Sequence, residues 1–367
     1  MAAPVDWELA ERIAIRIASR HPVPAGAIDG DELRALAVIA QDRVEAATGL
    51  RSLHGPAEVC VIDRPAWIRA NIASFRGLID PVMTRWMQAA GRGDGFLAGI
   101  TRQVTGQITA AEVGAMLGWM SGRVLGQYDL LFGQATTPVE GGGGPAPADG
   151  AVYLVGPNML ALEHRFAFEP EQFRLWVTLH ELTHRTQFTG VPWMHQHFMD
   201  LVQRTLALAD PDPSRMVAGL RAAFRDRDAA RQRMHDGGIV AMIATAEQQA
   251  VFRQVAGLMS LLEGHGDVVM DRAGADLVPS AERFARVLHE RRQRANPLVR
   301  LVQLLIGLEG KLNQYAAGER FIAAIEAVGG ERAVDRCWER PENLPTLDEI
   351  RSPGLWLERV GADEHVA

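Results

Sequence analysis

Two histidines and a glutamate define the chemistry open to this chain. They lie in His180-Glu181-Leu182-Thr183-His184, within the longer stretch from Trp176 to Phe188. On a helix, residues four apart project from one face, so both imidazoles leave the same side. Their separation suits two corners of a tetrahedral zinc site. Glu181 is one step round the helix, able to reach the metal's water without binding the metal tightly. Zinc lowers the pKa of that water to about 7, so a carboxylate is a sufficient base. The pattern points to metal-dependent hydrolysis. With 11 His in 367 residues, chance alone yields this pattern on the order of a few times per hundred such chains.

The flanking residues delimit the helix that must carry the motif. Pro170 suits a first helical turn, and Glu169 and Glu171 place negative charge at the positive end of the dipole. Gly190 and Pro192 stop the helix. Phe173, Val177, His180, His184 and Phe188 share one face at helical spacing, predicted to look into the core. A histidine pair there needs a partner, and a metal ion supplies one.

A catalytic zinc takes a third protein ligand and keeps its fourth position for water. Glu263 and Asp267 are four apart in Leu261-Leu262-Glu263-Gly264-His265-Gly266-Asp267, on one face of an otherwise apolar helical region. Buried carboxylates need partners. Glu263 as metal ligand, with Asp267 accepting the N–H of a ligand histidine, would satisfy both. His265 is the competing third ligand. It points off the Glu263 face in a regular helix, but Gly264 and Gly266 can break that regularity. Asp267 is a second alternative, and Asp271 shares the Glu263 face. In the metal-free alternative the two carboxylates pair with Arg253 or Arg272. Of the three tyrosines, Tyr128, Tyr153 and Tyr315, Tyr315 is the candidate donor to the oxyanion, with His265 next.

These blocks resemble a zincin, and the Glu263/Asp267 pair resembles the gluzincin arrangement. More narrowly, the chain is similar to the zincin-like metallopeptidase family of actinobacteria and Chloroflexi, some members of which are labelled as associated with deazaflavin coenzyme biosynthesis. The resemblance rests on His180 to His184 with Gln187-Phe188 and Gly190-Val191-Pro192-Trp193. It continues through Leu262 to His265 with Asp267, Met270 and Asp271, and through Lys311 with Gln314-Tyr315. It implies an α+β, predominantly helical fold with a small sheet beside the metal-binding helix. It also implies Zn2+ and hydrolysis of a peptide bond, without naming a substrate. Two features depart from the pattern. The stretch from His184 to Glu263 is far longer than in compact gluzincins. Arg185 puts a cation where zincin peptidases usually have an uncharged residue, which could alter substrate choice.

Composition narrows the class further. Hydrophobic content of 47% and charge of 23% are ordinary for a globular protein. A net charge of −7, from 38 Lys+Arg against 45 Asp+Glu, gives no nucleic-acid footprint. Cys60 and Cys337 stand in no metal-ligand spacing and imply no disulfide framework, so a reducing compartment is expected. No basic region and apolar run mark a secretory signal at the N-terminus, and no uncharged apolar window is long enough to span a membrane. A cytoplasmic protein is the expectation.

Taken in order, residues 6 to 20 and 31 to 47 read as helices, the second ended by Gly49. Asp63 and Pro65 start a third helix, and Pro81 begins a fourth. Gly114, Gly118, Gly122 and Gly126 recur every fourth residue and predict a smooth helical stripe for close packing. Residues 128 to 132, 151 to 155 and 165 to 168 read as strands. The latter two precede the metal helix, where many zinc peptidases place a substrate-binding edge strand. Residues 136 to 150 are a Gly/Pro-rich loop, and 213 to 235 an arginine-rich amphipathic helix. His195 and His197, two apart, do not face one another and read as surface or loop positions. An N-terminal helical region over 1–105 is expected beside a catalytic domain over 106–367. The function these features predict is zinc-dependent hydrolysis of a peptide or small amide substrate, with no nucleic acid and no membrane. The alternatives are a catalytically idle zinc-binding module serving a partner and a metal-free helical scaffold. Glu181 separates the idle site from the enzyme, since an idle site needs no base.

Overall fold

The computed structural model describes residues 5–90, 96–130, 150–208, 246–295 and 315–363. Residues 136–149 of the expected loop, the expected helix over 213 to 235, and Lys311 and Gln314 lie outside the described residues. So does the side chain of Tyr315. The fold is α+β and mostly helical, with a small mixed sheet, as expected. It gathers into two compact units. The first is Met1–Arg185 with Ala273–Phe284, and the second is Thr186–Arg272 with Ala285–Ala367. No helix among the described residues is long and apolar enough to cross a membrane.

The first unit begins with α1 (Trp7–Ala18) and α2 (Gly30–Thr48). The Asp6 carboxylate accepts the Leu9 N–H at 2.9 Å and starts α1. Gly49 ends α2 at φ 70°, a left-handed cap that costs glycine little. β1 (Val59–Ile62), α3 (Arg64–Ala90), α4 (Phe96–Ser121), β2 (Gly126–Tyr128), β3 (Val152–Val155), α5 (Gly156–Phe166) and α6 (Pro170–Thr189) follow. The strand order is β1-β3-β2. β3 is the centre, parallel to β1 and antiparallel to β2. All four of its residues are buried, which matches its unbroken apolar sequence.

Several local expectations change here. The strand Val59–Ile62 was not foreseen. Residues 165 and 166 close α5 instead of forming a strand, and Ala167 caps that helix at φ 46° by donating its N–H to the Glu163 carbonyl. Pro81 does not start a new helix but lies inside α3. It is exposed, while Val82 and Met83 beside it are buried, so burial of the apolar face carries α3 through the lost hydrogen bond. The glycine stripe forms a helix-to-helix contact at its first two members, while Gly122 lies against the His21 ring. A Cβ at Gly114 would lie 2.5 Å from the Ala10 carbonyl oxygen, and one at Gly118 would lie 2.7 Å from that of Ala14. α1 and α4 therefore touch backbone to backbone. Gly122 and Gly126 lie beyond the end of α4.

The turn from α4 into β2 is held by buried polar groups. Asn158 on α5 donates through Nδ2 to the carbonyls of Ser121 and Val124, both at 2.7 Å. Its Oδ1 accepts from Arg64 Nε at 2.8 Å. Both polar ends of the buried amide are thus satisfied, and the entry of β2 is fixed.

The second unit contains α7 (Met194–Leu208), most of α8 (Ala246–Gly274) and of α9 (Ala281–Ala295), α10 (Tyr315–Gly329) and α11 (Arg336–Glu339). It ends with α12 (Leu347–Arg351) and α13 (Pro353–Asp363). α8 and α10 cross at glycines. A Cβ at Gly264 would run into the backbone of Gly318, and one at Gly318 into the carbonyl of Ser260. Arg253 pairs with Asp348 and Arg272 with Glu326. Both arginines weighed as partners for Glu263 and Asp267 thus have other carboxylates beside them.

Candidate metal centre

α6 is anchored before it reaches its histidines. The Glu169 carboxylate accepts the N–H groups of Gln172 at 2.7 Å and Glu171 at 3.3 Å, which satisfies donors of the first turn. Phe173 and Trp176 join Phe168 and Phe284 in an aromatic cluster, with Phe168 and Phe284 centroids 4.7 Å apart. At the far end the Gly190 N–H returns to the Thr186 carbonyl at 2.8 Å. From Leu175 to Thr189 every residue is buried except His180 and His184, which are half-buried. The two histidines were expected on the core-facing side. Instead the helix is enclosed on all sides, and they form its partly exposed stripe.

The imidazoles converge. His180 Nε2 and His184 Nε2 are 3.1 Å apart, with the rings at 86° to one another. Zinc–nitrogen bonds of about 2.0–2.1 Å place two nitrogens of a tetrahedral site about 3.3 Å apart, so the pair matches that edge. One donor atom from each of His180, His184 and Glu263 lies within 4.8 Å of the others, a grouping able to hold a metal ion. Borderline nitrogen ligands with one carboxylate suit zinc. The residues present therefore fit the implied ion.

Glu181 is buried and held from one side by β2. Its Oε2 accepts the Tyr128 N–H at 3.2 Å. A Cβ at Gly126 would lie 2.5 Å from Glu181 Cγ and 2.7 Å from its Oε1. The sheet register explains why the strand has a donor to spare. Asp129 N–H bonds Ala151, and Val155 N–H bonds Leu125, so alternation turns the N–H of Tyr128 away from β3. The edge strand beside the motif is thus β2, not the expected segments over 151 to 155 and 165 to 168. Sequence reading missed Gly126 and Tyr128 because their contact with Glu181 bridges distant parts of the chain. The one available signal was a glycine beyond the helix whose stripe it seemed to continue.

Other expected residues fall elsewhere. Arg185 is buried and donates through Nη2 to the Gly55 carbonyl at 3.0 Å, so it anchors a loop and is not a cation offered to a substrate. His265 is buried, with Nδ1 2.9 Å from Gln187 Nε2 and its ring edge-on to Trp338. Asp267 is half-buried one turn beyond Glu263 on α8. Tyr153 is a core residue of β3, and burial first, then Asp129, raises its phenol above the ordinary range. His195 is exposed and His197 half-buried on α7.

A buried helix that exposes a histidine pair, with the intervening glutamate held against an edge strand, has the form of a zincin. The chain matches the zincin-like metallopeptidase family over residues 5–357 and belongs to it. Among solved structures it is similar to one from Chloroflexus aurantiacus reported as "a putative hydrolase with a novel fold". The two share 30% identity and a TM-score of 0.70 over 97% of this chain and 99% of that one. No curated protein matches the chain.

Proposed function

We propose that this chain is a zinc-dependent metallopeptidase that cleaves a peptide or small amide bond. The observation that carries the reading is the half-buried histidine pair on an otherwise enclosed helix, its Nε2 atoms 3.1 Å apart. His180, His184 and Glu263 would hold the ion. When bound, zinc would supply Lewis acidity, lowering the pKa of water to about 7 and polarising the scissile carbonyl. Glu181 is the base. Its Oε1 and Oε2 lie on a side chain fixed by Tyr128 and Gly126, so the carboxylate is oriented before a substrate arrives. It takes the proton from water and returns it to the leaving nitrogen. Asp267 is proposed to accept the N–H of a ligand histidine and Tyr315 to donate to the oxyanion, both on their places in the sequence after or beside Glu263. A held, buried carboxylate beside the histidines favours chemistry over an idle metal site.

The test of the ligand set is Glu263→Ala. Zinc affinity, read by competition with a chromophoric chelator, is expected to fall by more than about a hundredfold, beyond the usual loss for an outer-shell partner. Unchanged affinity would move the third ligand to another residue.

A further inference from the structure

We propose that Gln187 is a positioning residue that sets the register of α8 so that Glu263 is presented to the metal. The proposal rests on the reading of Glu263 as a ligand. Gln187 is fully buried and lies three residues beyond His184 on the same helix. Its Nε2 donates to the Leu262 carbonyl at 3.0 Å and meets His265 Nδ1 at 2.9 Å. A carbonyl can only accept, so the amide nitrogen belongs at that end, and His265 Nδ1 is the second acceptor. One amide thus holds α8 at the residue before Glu263 and at the residue two after it.

The chemistry of α8 makes such a hold useful. Gly264 and Gly266 flank His265, and glycine is among the weakest helix formers. The local backbone has little intrinsic preference to keep Glu263 in place. A slip of one residue turns a helical side chain by about 100° and carries the carboxylate away. A buried amide is costly unless bonded, so a purely space-filling role would be served as well by an apolar residue. The double donation from a rigid helix already bearing both histidines ties the third ligand to the first two.

The test is a double-mutant cycle on zinc affinity in the full-length protein, with apo-protein melting measured in parallel. Gln187→Met keeps size and removes the donor. It is expected to weaken zinc binding by about ten- to a hundredfold, the usual cost of losing an outer-shell partner. In the Glu263→Ala background the same substitution should change affinity by less than about twofold, because the residue it acts through is gone. Phe321→Leu, a core change on α10, serves as the control that lowers melting temperature without weakening zinc binding. Gln187→Glu, which also loses the donation to Leu262, replaces Gln187→Met if the latter does not fold. Wild-type affinity in the folded Gln187 variant, or an equal loss in both backgrounds, overturns the proposal. Unchanged affinity in Glu263→Ala alone overturns the underlying ligand reading instead.

Discussion

Glu181→Gln should retain zinc and melt close to wild type, yet lose about 10²–10⁴-fold in peptide hydrolysis. The substitution is nearly isosteric. Its amide oxygen can still accept the Tyr128 N–H that now meets Oε2 at 3.2 Å, so the side chain stays in place. What disappears is the ability to take a proton from water and pass it to the leaving nitrogen. Metal content by elemental analysis and cleavage of a peptide library read by mass spectrometry report the two properties separately. Loss of zinc would make Glu181 a ligand. Full cleavage with zinc in place would put the base elsewhere.

Gly126→Ala should cause the second large loss, although residue 126 is distant in sequence from the motif. The added Cβ would stand 2.5 Å from Glu181 Cγ, against an ordinary carbon contact of about 3.5–4.0 Å. The strand is pinned through Asn158 and paired with β3, so the glutamate side chain must yield, by roughly 1 Å. A misplacement of that size can cost about a hundredfold in rate. The histidines are untouched, so zinc content should not change, and stability should fall by about 1–3 kcal/mol from overpacking. Combined with Glu181→Gln, the alanine should add little further loss of rate, because both act on one carboxylate. A Gly126→Ala protein with wild-type hydrolysis would show that the held orientation of Glu181 is not needed.

Much of the metal helix was legible because its signals are local. Glu169, Pro170, Gly190 and the four-residue histidine spacing each act within a turn of helix, and the observed α6 runs from Pro170 to Thr189 as they require. The same holds for α2 and its Gly49 cap. Signals that depend on distant partners misled. Val59–Ile62 is a four-residue strand whose identity comes from pairing with β3, far along the chain. Residues 165 to 168 carry two phenylalanines at strand-like spacing, but Phe168 belongs to the aromatic cluster that seats α6. Arg185 read as a cation beside the site, able to alter substrate choice, because nothing nearby in sequence shows the Gly55 carbonyl it bonds. Helical periodicity placed the two histidines on one face correctly but assigned that face to the core. It cannot register that α6 is enclosed all round and open only there.

Elemental analysis of the purified protein, beside its His180→Ala variant, tests the central claim most directly. About one zinc per chain, lost in the variant, is the predicted result for a single three-ligand site. No metal under zinc-replete conditions would contradict it and leave the histidine pair a structural feature of α6.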